Sequence, residues 1–476
     1  MQLESTDRGG LARFFEPQSI AVIGSFRPGI FGGYMVVKSL LNAGYRGRIY
    51  PVNPGYDQVF GHRVYPTVGD VGEKIDLAMI MINARAVAGV IQECAAVGIK
   101  AIVIVSDGFA ERDQEGVRLQ RDLLTMAKKW GIRLIGPNTV GIFNASNRFY
   151  PCPFEGGNYE IREGPVAICG QSGIISPHAF PFAALHLGVS KICDFGNKCD
   201  VNECDMLEYL EKDKATGVIS MHLESIPDGQ RFLEICKRVT RQKPVLILKS
   251  GRTAEGARIS LSHTGSMAVD DRIFESVCRQ AGILRLKELK DLFEMPKIFA
   301  SQPLPGGNRL GIVSITGGVG VLGADEGARF GLAITRLTPK TSRLLDDLYP
   351  GMGTIPVDLG PASAAVKGFM DHYGKILQAV LEDERVDSLF NVIWVDAKGV
   401  NAEKCLQAYG DLKARIRKPL ATWLYGANTG FVSEVQKDLE EMGFPVFSSP
   451  EKAIRALGLI SRYARIKQGK GFPLTP

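Results

Sequence analysis

The sequence predicts an α/β protein built on parallel sheets and divided into three tandem domains. Three observations carry this expectation. Short β-branched runs recur along the chain, a helix-length segment separates each from the next, and two loop-rich stretches interrupt the alternation. The first series holds Ser19–Gly24, Arg48–Val52, Leu77–Ile82, Ala101–Val105 and Arg133–Gly136. A stretch from Asn147 to Gly164 then carries Pro151, Pro153 and two adjacent glycines. The second series follows with Pro165–Cys169, Gly217–Met221 and Pro244–Leu248. A further break, Ser301–Asn308, precedes Leu310–Ser314, Ser388–Trp394, Pro419–Trp423 and the short Pro445–Phe447. Boundaries are therefore expected near 150 and 303, with domains spanning 1–150, 151–303 and 304–476.

The bulk composition restricts the function class. With 45% hydrophobic and 23% charged residues in 476, the chain can fill several cores without metal or disulfide staples. Its nine cysteines are scattered, and the nearest to a pair, Cys199 and Cys204, have no zinc-knuckle spacing, which suits a reducing cytoplasm. No apolar run reaches membrane-spanning length, and the N-terminus lacks signal-peptide character. The net charge of +6 is spread without a basic block. That disfavours nucleic acid and remains compatible with an anionic small ligand.

Three glycine-rich turns follow strands and open helices, a construction that lets backbone N–H groups approach a phosphate. The first is Gly24-Ser-Phe-Arg-Pro-Gly-Ile-Phe-Gly-Gly33. Its spacing is not G-x-G-x-x-G, and the second strand ends in Tyr50-Pro-Val-Asn-Pro54 without a ribose-binding acid, which weakens a nicotinamide reading. The others are Cys169-Gly-Gln-Ser-Gly173, with a helix expected at Ile174, and Thr316-Gly-Gly-Val-Gly320, with one expected at Val321. Each can also simply close a βα unit.

Between the last two lies His263, one of six histidines, in the run Ala257-Arg-Ile-Ser-Leu-Ser-His-Thr-Gly-Ser266. The run is expected to be a flexible loop. Its imidazole suits a covalent phosphate carrier, because a neutral ring nitrogen is nucleophilic near pH 7 and hydroxyls beside it can bond phosphoryl oxygens. The same run also reads as a polar surface loop. No local metal site is expected around it. Glu224 ends the strand-like run Gly217–Glu224, where it could accept the imidazole Nδ1–H and leave Nε2 to attack phosphorus. A solvent-facing glutamate is the plainer alternative.

With these residues assembled, the chain resembles the α subunit of an NDP-forming acyl-CoA synthetase, of the ADP-forming acetate–CoA ligase type in the succinyl-CoA synthetase superfamily. The matching signatures run nearly end to end: Ser19-Ile-Ala-Val-Ile-Gly-Ser25, Tyr50-Pro-Val-Asn-Pro54, Gly108-Phe-Ala-Glu111, Gly136-Pro-Asn138, Gly170-Gln-Ser-Gly173, Gly196-Asn-Lys198, Leu223-Glu224, Lys243–Arg252, Ser262-His-Thr-Gly265 and Pro356-Val-Asp-Leu359. The resemblance implies a Rossmann-like CoA-binding domain followed by two flavodoxin-like domains. It makes His263 the phosphohistidine and Glu224 its partner. CoA would lie against Gly24, Ser25, Val52, Asn53, Pro54 and Asn138. Phosphate would be gripped by Gln171, Ser172 and Gly173 and by Gly317 and Gly318.

The implied reaction interconverts carboxylate, CoA and ATP with acyl-CoA, ADP and phosphate. Magnesium is expected with the nucleotide. No candidate ATP-grasp domain is found, so the nucleotide is expected on a separate β subunit in an αβ or α2β2 assembly. The chain departs from the family at Phe26–Phe31, which is bulkier than usual, and at Asp107, Thr139 and Ile355. These departures surround the implied CoA and acyl regions; they weaken acetate as the expected substrate and admit an unusual or larger acid. The alternative from another class is a CoA-binding regulatory module whose histidine does not turn over.

Overall fold

The computed structural model describes residues 10–155, 161–176, 178–179, 186–264, 270–396 and 400–470, and within them every side chain except those of 260–264 and 400. The first series begins with β1 (Ser19–Gly24) and β2 (Arg48–Val52) and continues into a two-stranded ribbon of β3 (Gln58–Val59) and β4 (His62–Arg63). It ends with β5 (Leu77–Met81), β6 (Ala101–Ile104) and β7 (Arg133–Ile135). Apart from the ribbon these strands form one parallel sheet of order β2-β1-β5-β6-β7. Both faces of β1 and β5 are buried, which is why their sequences are continuous apolar runs and not alternating ones.

The second sheet contains β8 (Ile142–Asn144), β9 (Glu163–Gly170), β10 (Val189–Asp194), β11 (Val218–Leu223), β12 (Val245–Lys249) and β13 (Leu284–Arg285). Its order is β13-β12-β11-β9-β10-β8, parallel except for the antiparallel β8. The chain winds to one side of β9 and then to the other, and such reversals open a crevice at the carboxyl ends of strands. The third sheet contains β14 (Arg309–Ser314), β15 (Ala333–Ile334), β16 (Val357–Asp358), β17 (Ser388–Trp394), β18 (Leu420–Tyr425) and β19 (Val446–Phe447). Its order is β15-β14-β17-β18-β19, with β16 paired to the end of β14.

The chain divides into two compact units, Met1–Leu292 and Phe293–Pro476. One apolar core of the first unit joins Phe14, Phe15 and Val36, from helices of the first series, to Cys193 of β10 and to Met206 and Leu207 of the helix Glu203–Lys212; another draws its buried members from the first series alone. Two segments lie across the boundaries expected from the sequence. Residues 142–144 precede position 150, yet they pair with β10 of the second sheet. The proline-rich stretch after them folds back on the first glycine turn, where Gly32 N–H donates to Pro153 O (2.9 Å) and Glu155 N–H to Ile30 O (2.9 Å). The helix Pro296–Ser301 belongs to the second unit, where Lys297 pairs with Glu440 at 2.7 Å and Phe299 packs edge-on against Tyr463. Among the described residues no helix is long and apolar enough to cross a membrane.

Candidate active site

Five of the six residues implicated in CoA binding come together at the carboxyl ends of β1 and β2. Asn53 Nδ2 donates to Gly24 O (2.8 Å), and its Oδ1 accepts from Gly55 N–H (2.8 Å), so one side chain ties the glycine turn to the turn after β2. Ser25 Oγ shares a 3.1 Å hydrogen bond with Tyr56 OH. Val52 is buried in its strand, and Pro54 is exposed beside Asn53. A Cβ on Gly24 would sit 3.0 Å from Met81 O, a tight contact set by the close approach of β5. Around the cluster stand aromatic rings, Phe26 edge-on to Tyr56 and Tyr34 against Phe60 at 4.7 Å; of these only Phe26, in the bulky first turn, was singled out by the sequence. Aromatics bracketing the ribbon were the available signal.

Asn138 is placed elsewhere, in the loop after β7, with φ +58. This loop is locked to the loop after β10. Asp194 accepts from Val140 N–H (2.8 Å), Thr139 Oγ1 (3.0 Å) and Gly196 N–H (3.3 Å). Asn197 N–H donates to Pro137 O (2.9 Å). Gly196 has φ +55, and a Cβ there would meet Pro137 O at 2.2 Å. Burial pushes the Asp194 carboxyl up to about 6; the negative charge of Glu224 adds to this, while the bonds from Val140, Gly196 and Thr139 oppose it.

The turn Gln171–Gly173 and Glu224 form one construction. Gln171 Oε1 accepts from both Glu224 N–H (2.9 Å) and Ser225 N–H (3.2 Å), and Gln171 N–H donates to His222 O (3.2 Å). The side chain therefore staples the end of β9 to the end of β11. Gln171 is 4% exposed, and its Nε2 has no hydrogen-bond partner among the described residues. Ser172 Oγ accepts from Ile174 N–H at 3.5 Å, capping a single 3-10 turn, Gly173–Ile175.

Glu224 is buried rather than solvent-facing, within the field of Lys198 and Lys249. Lys198 Nζ donates to the Glu203 carboxylate (2.8 Å) and to the Ser225 carbonyl (2.7 Å), and burial lowers its pKa against the pull of Glu203 and Glu224. Burial and the two lysines push His222 down to about 4, so its imidazole is neutral and shares a 2.7 Å bond between Nε2 and Ser250 Oγ.

Residues 254–264 form a helix, not the flexible loop expected around His263. Thr253 caps it by accepting from Gly256 N–H (3.1 Å), and Ala254, Glu255, Ala257, Arg258 and Leu261 all favour helix. His263 lies in its last turn; its side chain, and residues 265–269, fall outside the described residues.

In the second unit the helix opens at Gly317, not at Val321 as expected, and runs to Arg329. The physical reason is close packing: a Cβ on Gly320 would be 2.8 Å from Pro356, and Gly323 lies against Ile312, Phe390 and Ile454. The glycines that suggested a loop are needed inside the helix. Gly317 lies against Asp358, whereas a Cβ on Gly318 would meet nothing within 4 Å, so that N–H end of the helix is open to a ligand.

In the first unit a cavity of about 790 Å³ joins these parts. It is lined by Asn83, Asp107, Asn138 and Thr139 from the first domain, and by Gln171–Gly173 and Asp194 from the second. Gly24, Ser25 and Val52–Pro54 do not line it. Among the described residues no group of three or more His, Cys, Asp or Glu is placed to hold a metal ion.

Comparison with known proteins gives this arrangement a family. Residues 18–145 match the CoA binding domain, and residues 163–299 match the succinyl-CoA ligase like flavodoxin domain. The chain is 34% identical over 467 residues to the α subunit of an ADP-forming acetate–CoA ligase II from Pyrococcus furiosus, covering 96% of this chain and 97% of that one. It is 35% identical over 469 residues to an ADP-forming acetate–CoA ligase II from Archaeoglobus fulgidus, covering 96% of this chain and 67% of the relative. A solved structure of acetyl-coenzyme A synthetase 1 from Candidatus Korarchaeum cryptofilum, in complex with phosphate and ADP, superposes with a TM-score of 0.85 at 32% identity, covering 97% of this chain and 98% of that one. Identity at this level over whole chains shows that the chain belongs to the α-subunit family of the ADP-forming acyl-CoA ligases.

Proposed function

We propose that the chain interconverts acyl-CoA and phosphate with free CoA, carboxylate and a phosphoryl group held on His263. A separate ATP-grasp β subunit, in an αβ or α2β2 complex, then passes that group to or from ADP. The observation that carries the reading is the Gln171 staple. One side chain accepts from the Glu224 and Ser225 N–H groups, and its turn lines a cavity shared with the CoA-domain loop. A regulatory CoA-binding module has no use for a buried glutamate fixed beside an anion-binding turn.

The chemistry balances in two steps. A phosphate oxygen attacks the thioester carbon, the C–S bond breaks, and CoA leaves as the thiol, giving acyl phosphate. His263 Nε2 then attacks phosphorus, the acyl P–O bond breaks, and the carboxylate leaves. Glu224 accepts the Nδ1–H, fixing the tautomer and stabilising the charge that forms on the ring. Gln171–Gly173, and Gly317 and Gly318 in the second unit, offer N–H donors to phosphoryl oxygens, so positioning and electrostatics supply most of the rate. Gly24, Ser25, Val52, Asn53, Pro54 and Asn138 hold CoA. Mg²⁺ accompanies the nucleotide and neutralises its phosphates when bound. By domain, 1–150 binds CoA, 151–303 carries the phosphohistidine and 304–476 supplies the second phosphate grip. The setting is the cytoplasm.

The chain with its β subunit, Mg²⁺ and γ-labelled ATP is expected to acquire an acid-labile, base-stable label. His263→Ala is expected to abolish it while circular dichroism stays unchanged. A folded variant that labels at the wild-type rate would sink the assignment.

A further inference from the structure

The cavity of the first unit has an unusual charge balance for a site that handles a carboxylate and a phosphate. Among the described residues its lining includes two aspartates, Asp107 and Asp194, and no Lys, Arg or His. The anionic end of a ligand must therefore be met by N–H groups, and these cluster at Gln171–Gly173, where Gln171 Nε2 is still available. Of the two acids, Asp194 is consumed by its bonds to Thr139, Val140 and Gly196 and is 3% exposed.

Asp107 is different. It is exposed, it lines the cavity, and no hydrogen bond or ion pair within the described residues engages it. Its backbone is nonetheless held on both sides. Ser106 O accepts from Asn138 N–H (2.9 Å), Ser106 Oγ accepts from Ile82 N–H (3.0 Å), and Gly108 N–H donates to Glu111 Oε1 (2.6 Å). A carboxylate with no internal partner on a fixed strand end is preorganised for a ligand. Phe31 and Phe154, with ring centroids 4.8 Å apart, line the same cavity and give it an apolar wall. At about 790 Å³ the cavity has room for an acyl group together with phosphate and the thiol end of CoA.

Resting on the ligase reading above, we infer that the acyl site selects a carboxylic acid with an apolar or aromatic body and a hydrogen-bond donor, a hydroxyl or an ammonium, at its distal end, and that Asp107 accepts that donor. A second carboxylate at that end is repelled by the same residue, so dicarboxylic acids are rejected.

The test uses the full chain, ³²P-phosphate and a set of CoA thioesters, following the initial rate of protein labelling in the acyl-CoA to phosphohistidine direction. The set is 3-phenylpropanoyl-CoA with hydrogen, hydroxyl, aminomethyl or carboxyl at the ring position opposite the chain, plus acetyl-CoA. The hydroxyl or the aminomethyl compound is expected to label at least about tenfold faster than the unsubstituted parent, since a site built to bond a donor discriminates strongly against its absence. Which of the two is faster tells a neutral donor from a cationic one. The carboxyl compound is expected to be slower than the parent. Asp107→Ala, whose side chain supports nothing else in the fold, is expected to bring the donor compounds to within about twofold of the parent. Equal rates for parent and donor compounds, or an unchanged ratio in Asp107→Ala, overturn the inference. Labelling from acetyl-CoA with none from the aryl set overturns it and leaves the ligase reading standing. No labelling from any thioester, acetyl-CoA included, removes the ligase reading and this inference together.

Discussion

At the scale of single residues, the site works by giving neighbouring groups opposite proton preferences. Gln171 holds the main chain of Glu224 and Ser225 through its amide oxygen, which fixes the backbone from which the Glu224 carboxylate projects. His222 and Asp194 flank it with opposed shifts. The His222 pKa falls from 6.5 to about 4, chiefly through burial, so between those values the unfolded chain takes up a proton that the folded chain refuses. Its contribution to stability is complete above pH 6.5 and is lost as pH falls toward 4, amounting to roughly 3 kcal/mol. Asp194 is raised from 3.8 to about 6, again chiefly by burial, so the folded chain binds the extra proton and gains stability as pH falls through about 6. The two nearly offset each other. His222→Asn is therefore expected to gain stability relative to wild type on acidification from pH 6.5 to 4, by roughly 3 kcal/mol in urea unfolding. Parallel pH profiles for the two proteins would contradict this.

At the scale of elements, loops do the positioning and glycines set how closely they approach. The loop after β7 and the loop after β10 touch through Gly196, whose φ of +55 and 2.2 Å clearance to Pro137 O leave no place for a methyl group. Gly196→Ala is expected to destabilise the first unit by about 2–4 kcal/mol, combining left-handed strain with displacement of the Pro137–Asn138 backbone. An unshifted thermal midpoint would show that the loop yields freely. The same logic explains the helix that opens at Gly317: its glycines were legible in the sequence as a phosphate turn, but their packing against Pro356 and β14 was not. The helix around His263 was hidden for a related reason. Its serines and single glycine look like loop residues, while Thr253 and the Ala, Glu and Leu positions favour the helix.

At the scale of the whole molecule, the cores assign the units. The apolar cluster of the second unit runs from Val313 to Val446 without a residue from the first. The core of the first unit mixes both of its sheets, and Phe15 stacks on Tyr209 at 5.1 Å across them. Asn144 and Asn147 both donate to Phe15 O (2.9 Å each), tying the segment between the sheets to the N-terminal helix Ala12–Phe15. A chain cut between Leu292 and Phe293 is therefore expected to give two soluble pieces, each with a cooperative thermal transition. A cut at 150 is expected to give pieces that aggregate or co-purify, because it exposes the shared core. Independent folding of 1–150 would contradict the shared core.

The sequence by itself determined the class of fold and most of the strands, because continuous β-branched runs between helix-length segments have few alternatives. Ser19–Gly24 and Arg48–Val52 were legible to the residue. It also carried the family, through ordered motifs from Ser19 to Leu359. It did not reveal β10, whose Lys191 and Asp194 break the apolar run. Those charges are buried against Asp213 and the Thr139–Val140 loop, partners distant in sequence. Only the tertiary structure decided that Gln171 holds the Glu224 main chain, that Asn138 belongs to the cavity while Gly24 and Ser25 do not, and that Asp107 lines that cavity. Local patterns report what a residue does to its own stretch of backbone. A site assembled from the ends of strands in two sheets depends on which ends the chain topology brings together, and that is fixed by the packing of both sheets on one core.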